Sequence, residues 1–259
     1  MAERSCDPEF VAFAGHLADE AGKVVRRYFR TQIPVDDKAD QSPVTVADRE
    51  TERRMRDLIA RRYPDHGIAG EEFGEEGMDR DFVWSLDPID GTRSFISGSP
   101  LFGTLISLVH RGQPILGVID HPMTGERWVG ANGQAHHNGQ PIGVRDCTRI
   151  EDATCYSYGI EALDGDAGAI LGALFRRVKL MRFSADCYAY GLLALGFVDL
   201  VVEDGLKPHD FCALQPVVEG AGGIMTDWQG KRLTIGSDGR VIAAGDRRLH
   251  ETVLALVRD

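Results

Sequence analysis

The second half of the chain alternates between short apolar strands and segments with helical spacing, and this order restricts the possible folds more than any other feature. The hydrophobic pattern predicts strands at 155–159, 178–183 and 198–203, and helices at 167–177, 188–196 and 210–223. A last helix is predicted from Asp246 onward. Because each element has an apolar face that needs a neighbouring layer, the alternation predicts sheets and helices packed in layers.

The first half is predicted to place two helices before a group of strands. One helix follows a cap at Asp7, and apolar residues at helical spacing continue it to Tyr28. The other begins at Thr45, which precedes Asp48 by three residues as in a capping box, and it ends at the next proline. After these helices the pattern predicts an acidic loop at 70–77, strands at 82–87, 104–109 and 114–120, and a hairpin turn at 138–142.

The chain has enough apolar residues for a sizeable core. Of its 259 residues, 43% are hydrophobic and 27% are charged, and no linker rich in Pro, Gly or Ser separates the two halves. We therefore expect one domain over residues 1–259, with two lobes that meet near residue 145.

Charge and cysteine content argue against several classes of protein. The formal net charge is -11, with 40 acidic and 29 basic residues, whereas nucleic-acid partners are bound through an excess of Lys and Arg. Five cysteines form no CxxC pair, which favours reduced thiols. The polar start of the chain, and the lack of an apolar run near the roughly 20 residues of a membrane span, predict a cytoplasmic protein without a membrane partner.

Two aspartates follow an apolar strand in the segment WSLDPIDGTRSF, residues 84–95. Asp87 and Asp90 alone could belong to two ordinary turns, since Asp-Pro and Asp-Gly are common in loops. At the end of a buried strand, however, little water screens the two carboxylates, so each raises the pKa of the other or both require a cation. Asp210, at the start of a predicted helix, is either an ordinary helix-start acid or a third carboxylate of the same cluster. Together the three acids predict a site for a hard divalent ion such as Mg²⁺, which prefers oxygen ligands.

Four separated segments of the chain resemble the signature segments of one enzyme superfamily. In chain order they are SPVTVAD, GEE, WSLDPIDGTRSF and KPHDFCALQPVVEGAGG. In these segments the chain is similar to the inositol monophosphatase superfamily of magnesium-dependent, lithium-sensitive phosphomonoesterases. The resemblance implies an α+β fold, a layered αβαβα sandwich of the inositol monophosphatase and fructose-1,6-bisphosphatase type, which is usually a homodimer. It also implies a small-molecule phosphate ester as the substrate.

The resemblance further implies a role for each matching residue. It assigns two or three Mg²⁺ ions, which Mn²⁺ could replace, to Glu71, Asp87, the carbonyl of Ile89, Asp90 and Asp210. It assigns the activation of water to Asp48, Glu71 and Thr92, and the binding of phosphate to the N–H groups of Gly91 and Thr92. The neighbouring acid Glu72 receives no definite role.

The chemistry implied is hydrolysis by a metal-activated water, which needs no covalent phosphoenzyme. Other phosphate-transfer classes are not supported, because the chain has neither a GxxxxGK[ST] loop nor a nucleophilic aspartate in DxD spacing. Cys187 and Cys212 lack a recognisable phosphatase loop and are predicted to be buried small residues. His209 is predicted to border the site but not to bind Mg²⁺, which prefers oxygen.

The segment 183–211 resembles the branch of the superfamily that acts as histidinol-phosphate phosphatase in histidine biosynthesis. By its position, Glu203 falls where inositol phosphatases hold substrate hydroxyls, so it does not discriminate between substrates. Asp186 falls at a place that is usually small and neutral in them, and an acid there suits a cationic leaving group such as histidinol. Asp186 could instead be a helix N-cap that follows Ser184.

These observations predict a Mg²⁺-dependent hydrolase of L-histidinol phosphate. The alternatives are an inositol-1-monophosphatase or a phosphatase of broad range toward sugar and polyol phosphates. A metal-binding scaffold without turnover is a further alternative, although a scaffold has no chemical need for the complete set of predicted site residues.

Overall fold

The computed structural model describes residues 5–37, 43–159 and 165–258. Over these ranges the helices are α1 (Pro8–Tyr28), α2 (Val46–Arg62), α3 (Thr92–Ile96), α4 (Gly165–Phe175), α5 (Tyr188–Ala194), α6 (Pro208–Gly220) and α7 (Arg247–Arg258). The strands of the first half are β1 (Val35–Asp37), β2 (Pro43–Thr45), β3 (Gly67–Gly70), β4 (Gly74–Glu76), β5 (Phe82–Asp90), β6 (Gly103–His110), β7 (Gln113–His121), β8 (Glu126–Ala131), β9 (Gln134–His137) and β10 (Gln140–Pro141). Those of the second half are β11 (Thr154–Ser157), β12 (Leu180–Phe183), β13 (Leu200–Glu203), β14 (Ile224–Thr226) and β15 (Val241–Ala244).

The elements form five layers. A larger sheet has the strand order β10-β9-β8-β7-β6-β5-β3-β4, and a smaller sheet has the order β12-β11-β13-β15-β14. Helices α1 and α2 pack on the outer face of the larger sheet, and α5 and α6 lie between the two sheets. Helices α4 and α7 cover the outer face of the smaller sheet. The structure therefore confirms the predicted α+β fold and its αβαβα layering.

Alternating side chains along single strands divide the core between the layers. In β13, Val201 packs in the central core with α5 and α6, whereas Leu200 and Val202 pack against α4 and α7. Because both faces of this strand are buried, its sequence is a continuous apolar run rather than an alternating one.

Helix α6 lies very close to the larger sheet. A Cβ atom on Gly117 of β7 would clash with the carbonyl of Ala213, so the glycine allows the close approach. Inside the helix, Pro216 has no N–H and cannot bond to the carbonyl of Cys212 four residues earlier. The hydroxyl of Ser107 on β6 lies 2.9 Å from that carbonyl and donates to it instead. These contacts seat α6 on the sheet and bring its first turn to the end of β5.

The main differences from the predicted elements concern short strands. The acidic stretch 70–77, predicted as a loop, contains the turn and the second strand of the β3–β4 hairpin, and β3 also pairs in parallel with β5. Strand β4 is exposed along its whole length, so it has no hydrophobic pattern from which to predict it. Strands β14 and β15, of three and four residues, are also absent from the prediction. No helix in the described part of the chain is long and apolar enough to cross a membrane.

Candidate active site

Asp87 and Asp90 lie where the pairing of β5 with β6 becomes irregular. Asp87 is opposite Leu105 and Asp90 is opposite Gly103, so three steps along β5 match two steps along β6. This extra residue forms a β-bulge between Asp87 and Asp90, where Pro88 has no N–H to offer the ladder. In a regular strand, residues three apart face opposite sides of the sheet. The bulge overcomes this alternation, and the two carboxylates approach within 4.8 Å of each other.

Asp210 reaches the same place from the first turn of α6. Its Oδ2 atom accepts a hydrogen bond from the N–H of Lys207 at 2.6 Å. The hydroxyl of Ser85 on β5 donates to the carbonyl of Pro208 at 3.4 Å, which holds the start of α6 against the strand. As a result, one carboxylate oxygen of Asp210 lies within 4.8 Å of the oxygens of both β5 aspartates.

Glu71 and His209 extend this cluster on the side of Asp87. One ligand atom from each of the three residues lies within 4.8 Å of the other two. Glu71 directly follows β3, and its N–H donates to the carbonyl of Leu86 at 3.2 Å. The structure thus places the histidine among the donor atoms, whereas its sequence position predicts only that it borders the site.

Burial and mutual repulsion raise the pKa values of the three aspartates of the cluster, Asp87, Asp90 and Asp210. Burial is the main cause of the raised pKa of Asp87, and the charges of Glu71, Asp90 and Asp210 add to it. Burial also raises the pKa of Asp90, with further contributions from Asp186 and Asp210. Such a group of acids is stable in its ionised form only when cations compensate the charge. A donor set made mainly of carboxylate oxygens fits a hard divalent cation.

Asp48 and Thr92 face each other beside the cluster. The N–H of Thr45 donates to Oδ2 of Asp48 at 2.8 Å, as the predicted capping box requires, and the hydroxyl of Thr45 lies 2.6 Å from the same oxygen. The other oxygen, Oδ1, lies 3.5 Å from the hydroxyl of Thr92, which is also 3.1 Å from the carbonyl of Ile89. Burial raises the pKa of Asp48, and the hydrogen bonds from Thr45 oppose that rise.

The turn that leads from β5 into α3 lies against Asp186. Gly91 in this turn has a φ of +84°, and a Cβ atom there would lie only 2.5 Å from Oδ2 of Asp186. The same Oδ2 atom accepts a hydrogen bond from the hydroxyl of Ser94 at 2.6 Å. Helix α5 has Cys187 as its N-cap residue and no side-chain cap, so Asp186 does not have the alternative capping role.

Glu203 lies at the end of β13 and is only 3% exposed. The hydroxyl of Tyr190 donates to its Oε2 atom at 2.8 Å. Burial raises the pKa of Glu203 to about 8, and the nearby charges of Asp186 and Asp210 add to the rise. The structure therefore brings both predicted substrate-binding acids into the electrostatic neighbourhood of the carboxylate cluster.

Three residues that hold the site together are missing from the predicted set. Ser94 bonds to Asp186, the N–H of Cys187 donates to Asp90 at 2.7 Å, and Glu52 accepts the N–H of Glu72 at 2.7 Å. Only Glu52 has a sequence signal, because it lies one helical turn after Asp48 on the same helix. Cys187 and Cys212 are buried and free, as predicted.

Comparison with known proteins agrees with this arrangement. The family model described as the inositol monophosphatase family matches residues 7–259. An Arabidopsis thaliana protein named bifunctional phosphatase IMPL2, chloroplastic, is 47% identical over 95% of this chain and 74% of that protein. A histidinol-phosphatase of Chlorobaculum parvum is 38% identical over 88% of this chain and 89% of its own length.

A solved structure of an inositol monophosphatase from Zymomonas mobilis has a TM-score of 0.90 and is 43% identical, covering 98% of this chain and 100% of that one. Its fold, the carboxylate cluster and the match of the family model along nearly the whole chain agree with one another. The chain belongs to the inositol monophosphatase family, and it is a phosphatase of that family.

Proposed function

We propose that the protein is a Mg²⁺-dependent phosphomonoesterase that hydrolyses L-histidinol phosphate to L-histidinol and phosphate. The observation that carries this choice of substrate is the position of Asp186, an additional acid that contacts the turn beside the carboxylate cluster. The Chlorobaculum parvum relative, named histidinol-phosphatase, supports the same choice.

The donor atoms of the cluster fit Mg²⁺, with Mn²⁺ as a close substitute. The residues that would hold two or three ions are Glu71, Asp87, Asp90 and Asp210 through their carboxylates and Ile89 through its carbonyl. Bound Mg²⁺ would lower the pKa of water and neutralise the charge of the phosphate.

Thr92 and Asp48 would orient the attacking water. The hydroxyl proton of Thr92 is directed to the carbonyl of Ile89 or to Asp48, which leaves the oxygen lone pairs to accept a hydrogen bond from water. Burial raises the pKa of Asp48, which makes this carboxylate a better acceptor of a proton from the water. The charge of Glu71 also raises the pKa of Asp48, and Glu71 would assist in activating the water. The N–H groups of Gly91 and Thr92 would donate to phosphate oxygens.

Asp186 and Glu203 would bind the leaving alcohol. Histidinol carries an ammonium group and a titratable imidazole, whereas inositol has only neutral hydroxyls. Burial raises the pKa of Asp186, because the ionised carboxylate is poorly solvated there. A cationic group beside it would compensate this cost of ionisation. A charge-assisted hydrogen bond of about 1.5–3 kcal/mol would favour histidinol phosphate by about tenfold or more.

The substitution Asp186→Asn tests this assignment. It should lower kcat/KM for histidinol phosphate about tenfold more than for glycerol 2-phosphate, because only the first ester loses an ion pair. Ser94→Ala is the control, since it removes a neutral donor to Asp186 but leaves the carboxylate in place. Equal losses for both esters in Asp186→Asn would reject the proposed role in specificity.

An inositol-1-monophosphatase is the second candidate, because the Zymomonas mobilis structure is that of an inositol monophosphatase. The Arabidopsis thaliana relative, which is named bifunctional, favours a phosphatase of broader range. A direct comparison of kcat/KM for histidinol phosphate and inositol 1-phosphate separates these candidates. A higher value for inositol 1-phosphate would overturn our choice of substrate.

We also infer that residues 1–259 form one domain, that its two lobes join near residue 145, and that two copies pair as a homodimer. The guanidinium of Arg145 donates to both carboxylate oxygens of Asp199 at 2.7 and 2.6 Å, and α6 packs against both sheets, which supports a single unit.

Five free cysteines favour a reducing compartment such as the cytoplasm. The net charge of -11 supports the absence of a nucleic-acid partner, and light scattering of the purified protein tests the dimer.

A further inference from the structure

One face of α2 connects the site with the turn that carries Glu71. Asp48, Glu52 and Arg56 are spaced four residues apart, so they lie along the same face of this helix. The first of the three lies in the site, the second is completely buried, and the side chain of the third is 15% exposed. This face therefore runs from the site to the turn between β3 and β4.

The carboxylate of Glu52 accepts hydrogen bonds from that turn. Its Oε2 atom accepts from the N–H of Glu72 at 2.7 Å, and its Oε1 atom accepts from the N–H of Phe73 at 3.2 Å. Oε1 also accepts from Nε of Arg56 at 2.7 Å. Three donors, one of them charged, compensate the burial of this carboxylate, which would otherwise be costly.

Arg56 holds the far end of the same turn. Its Nη2 atom donates to the carbonyl of Gly74, the first residue of β4. On the opposite side, the N–H of Glu71 donates to Leu86 of β5. The backbone that carries Glu71 is thus held by β5 on one side and by α2 on the other.

We propose that Glu52 is a positioning residue that, together with Arg56, sets the Glu71 carboxylate in place for metal binding. This inference rests on the proposed function in one respect, since it takes Glu71 as a metal ligand. The charge of Glu71 raises the pKa of Asp87, so the two carboxylates can lie together in their ionised forms only when a cation compensates the charge. A turn already fixed by α2 avoids the cost of ordering that carboxylate when the ion arrives. Because Asp48 lies on the same helix as Glu52, these hydrogen bonds also fix the distance between Asp48 and Glu71.

The test is a titration of the substrate-free protein with Mn²⁺, in which electron paramagnetic resonance measures the concentration of the free ion. Glu52→Gln should weaken Mn²⁺ binding about tenfold or more, as expected when a residue that supports a ligand is lost. The amide keeps the size of the side chain. Its NH₂ group, however, must face at least one of the N–H groups that donate to the carboxylate of Glu52 in the wild type.

Glu20→Gln is the matched control. Glu20 accepts a hydrogen bond from Nε of Arg54 on α2 at 3.0 Å, so the same substitution removes a carboxylate that pairs with an arginine of that helix. This pair links α1 to α2, whereas Glu52 links α2 to the β3–β4 turn. Mn²⁺ affinity should therefore stay at the wild-type value in Glu20→Gln.

Two further measurements separate positioning from a general loss of stability. Deuterium uptake at residues 71–74 should increase in metal-free Glu52→Gln and not in Glu20→Gln, because only the first variant releases the turn amides. At saturating Mn²⁺, kcat of Glu52→Gln should return toward the wild-type value, since Glu52 touches neither the substrate nor the ions. If Glu52→Gln does not fold, Arg56→Lys replaces it, because lysine keeps the charge but lacks the planar fork through which Nε and Nη2 of Arg56 donate separately to Glu52 and Gly74.

A folded Glu52→Gln variant with wild-type Mn²⁺ affinity would overturn the inference and leave the proposed function intact. So would wild-type affinity in Arg56→Lys if the first variant cannot be obtained. A wild-type protein that binds Mn²⁺, loses affinity on Glu52→Gln and hydrolyses no phosphate ester would instead refute the proposed function alone. A wild-type protein that binds no divalent ion would refute both.

Discussion

The substitution Asp90→Asn removes one charge from the carboxylate cluster with almost no change in shape. The Oδ1 atom of asparagine can still accept the Cys187 N–H, which Asp90 accepts at 2.7 Å. The negative charge that is lost lies within 4.8 Å of the oxygens of Asp87 and Asp210. We expect the variant to be inactive and yet more stable than the wild type when divalent ions are removed.

The size of the stabilisation follows from these distances. Two unit charges 4.8 Å apart repel each other by about 3.5 kcal/mol at an effective dielectric constant of about 20. Protonation relieves part of this repulsion, because the pKa of Asp90 in the folded protein is well above its ordinary value. The pKa of Asp90 is higher in the folded than in the unfolded protein. With respect to this group, the wild type is therefore most stable at low pH, and it loses free energy of unfolding as the pH rises through the folded-state pKa. The gain from Asp90→Asn is therefore greatest at alkaline pH, at about 1–3 kcal/mol, or about 2–4 °C in Tm per kcal/mol.

The assay is differential scanning calorimetry in EDTA, combined with phosphate release at saturating Mg²⁺. The difference in Tm between Asp90→Asn and the wild type should grow as the pH is raised from the acidic to the alkaline side, because the pKa of Asp90 in the folded protein is well above its ordinary value. Phosphate release should fall to background, because one proposed ligand has lost its charge.

Asp199→Asn provides the opposite control. Asp199 is also buried, but it accepts hydrogen bonds from Arg145 at 2.7 and 2.6 Å and from the N–H of Thr154 at 2.7 Å. Loss of that paired charge should lower Tm rather than raise it. A lower Tm in EDTA for Asp90→Asn, or wild-type turnover at saturating Mg²⁺, would refute the reasoning.

Three further predictions follow from individual contacts. Thr92→Ala should lower kcat about 10²-fold and leave Mn²⁺ affinity unchanged in metal titrations; a raised KM with wild-type kcat would contradict the water-orienting role. Because the pKa of Glu203 is raised to about 8, the stability that its protonated form contributes is lost as the pH rises from about 4.5 to about 8. In EDTA, the Tm of Glu203→Gln should therefore rise relative to that of the wild type over this range. A Tm difference that does not change with pH would exclude a protonated Glu203. Gly117→Ala should cost about 2 kcal/mol or more in urea unfolding, because its Cβ meets the backbone of Ala213; a neutral effect would show that α6 can move away from the sheet.

Much of the fold could be predicted because the signals that define its elements are local. Asp7 caps α1 by accepting the N–H of Glu9 at 2.8 Å, and Thr45 forms a capping box with Asp48 at the start of α2. Both contacts join residues two or three positions apart, so the sequence alone reveals them. The long apolar strands and helices could be predicted for the same reason. The exposed strand β4 could not, because nothing packs on it to impose a pattern.

The identities of the candidate site residues were also readable from the sequence, since their signature segments are short and specific. What the resemblance assigns to Asp48, Glu71 and Thr92 stays a prediction, and the structure adds the geometry in which each role can be tested. In chemical terms, the sequence by itself determined an acidic, oxygen-rich site carried by layered sheets and helices.

Only the tertiary structure decided how those acids meet. The period of two in a regular strand would place Asp87 and Asp90 on opposite faces, and the bulge between them, which depends on how β5 pairs with β6, brings them together instead. Asp186 contacts Ser94 across 92 positions of the chain, and this contact excludes the helix-cap alternative that local sequence leaves open. The hydrogen bond that Glu52 accepts from the turn after Glu71 likewise depends on how α2 packs on β5. Local sequence specifies caps and periodicity, but contacts between distant segments arise only when the layers pack, and packing decides which charges are buried together.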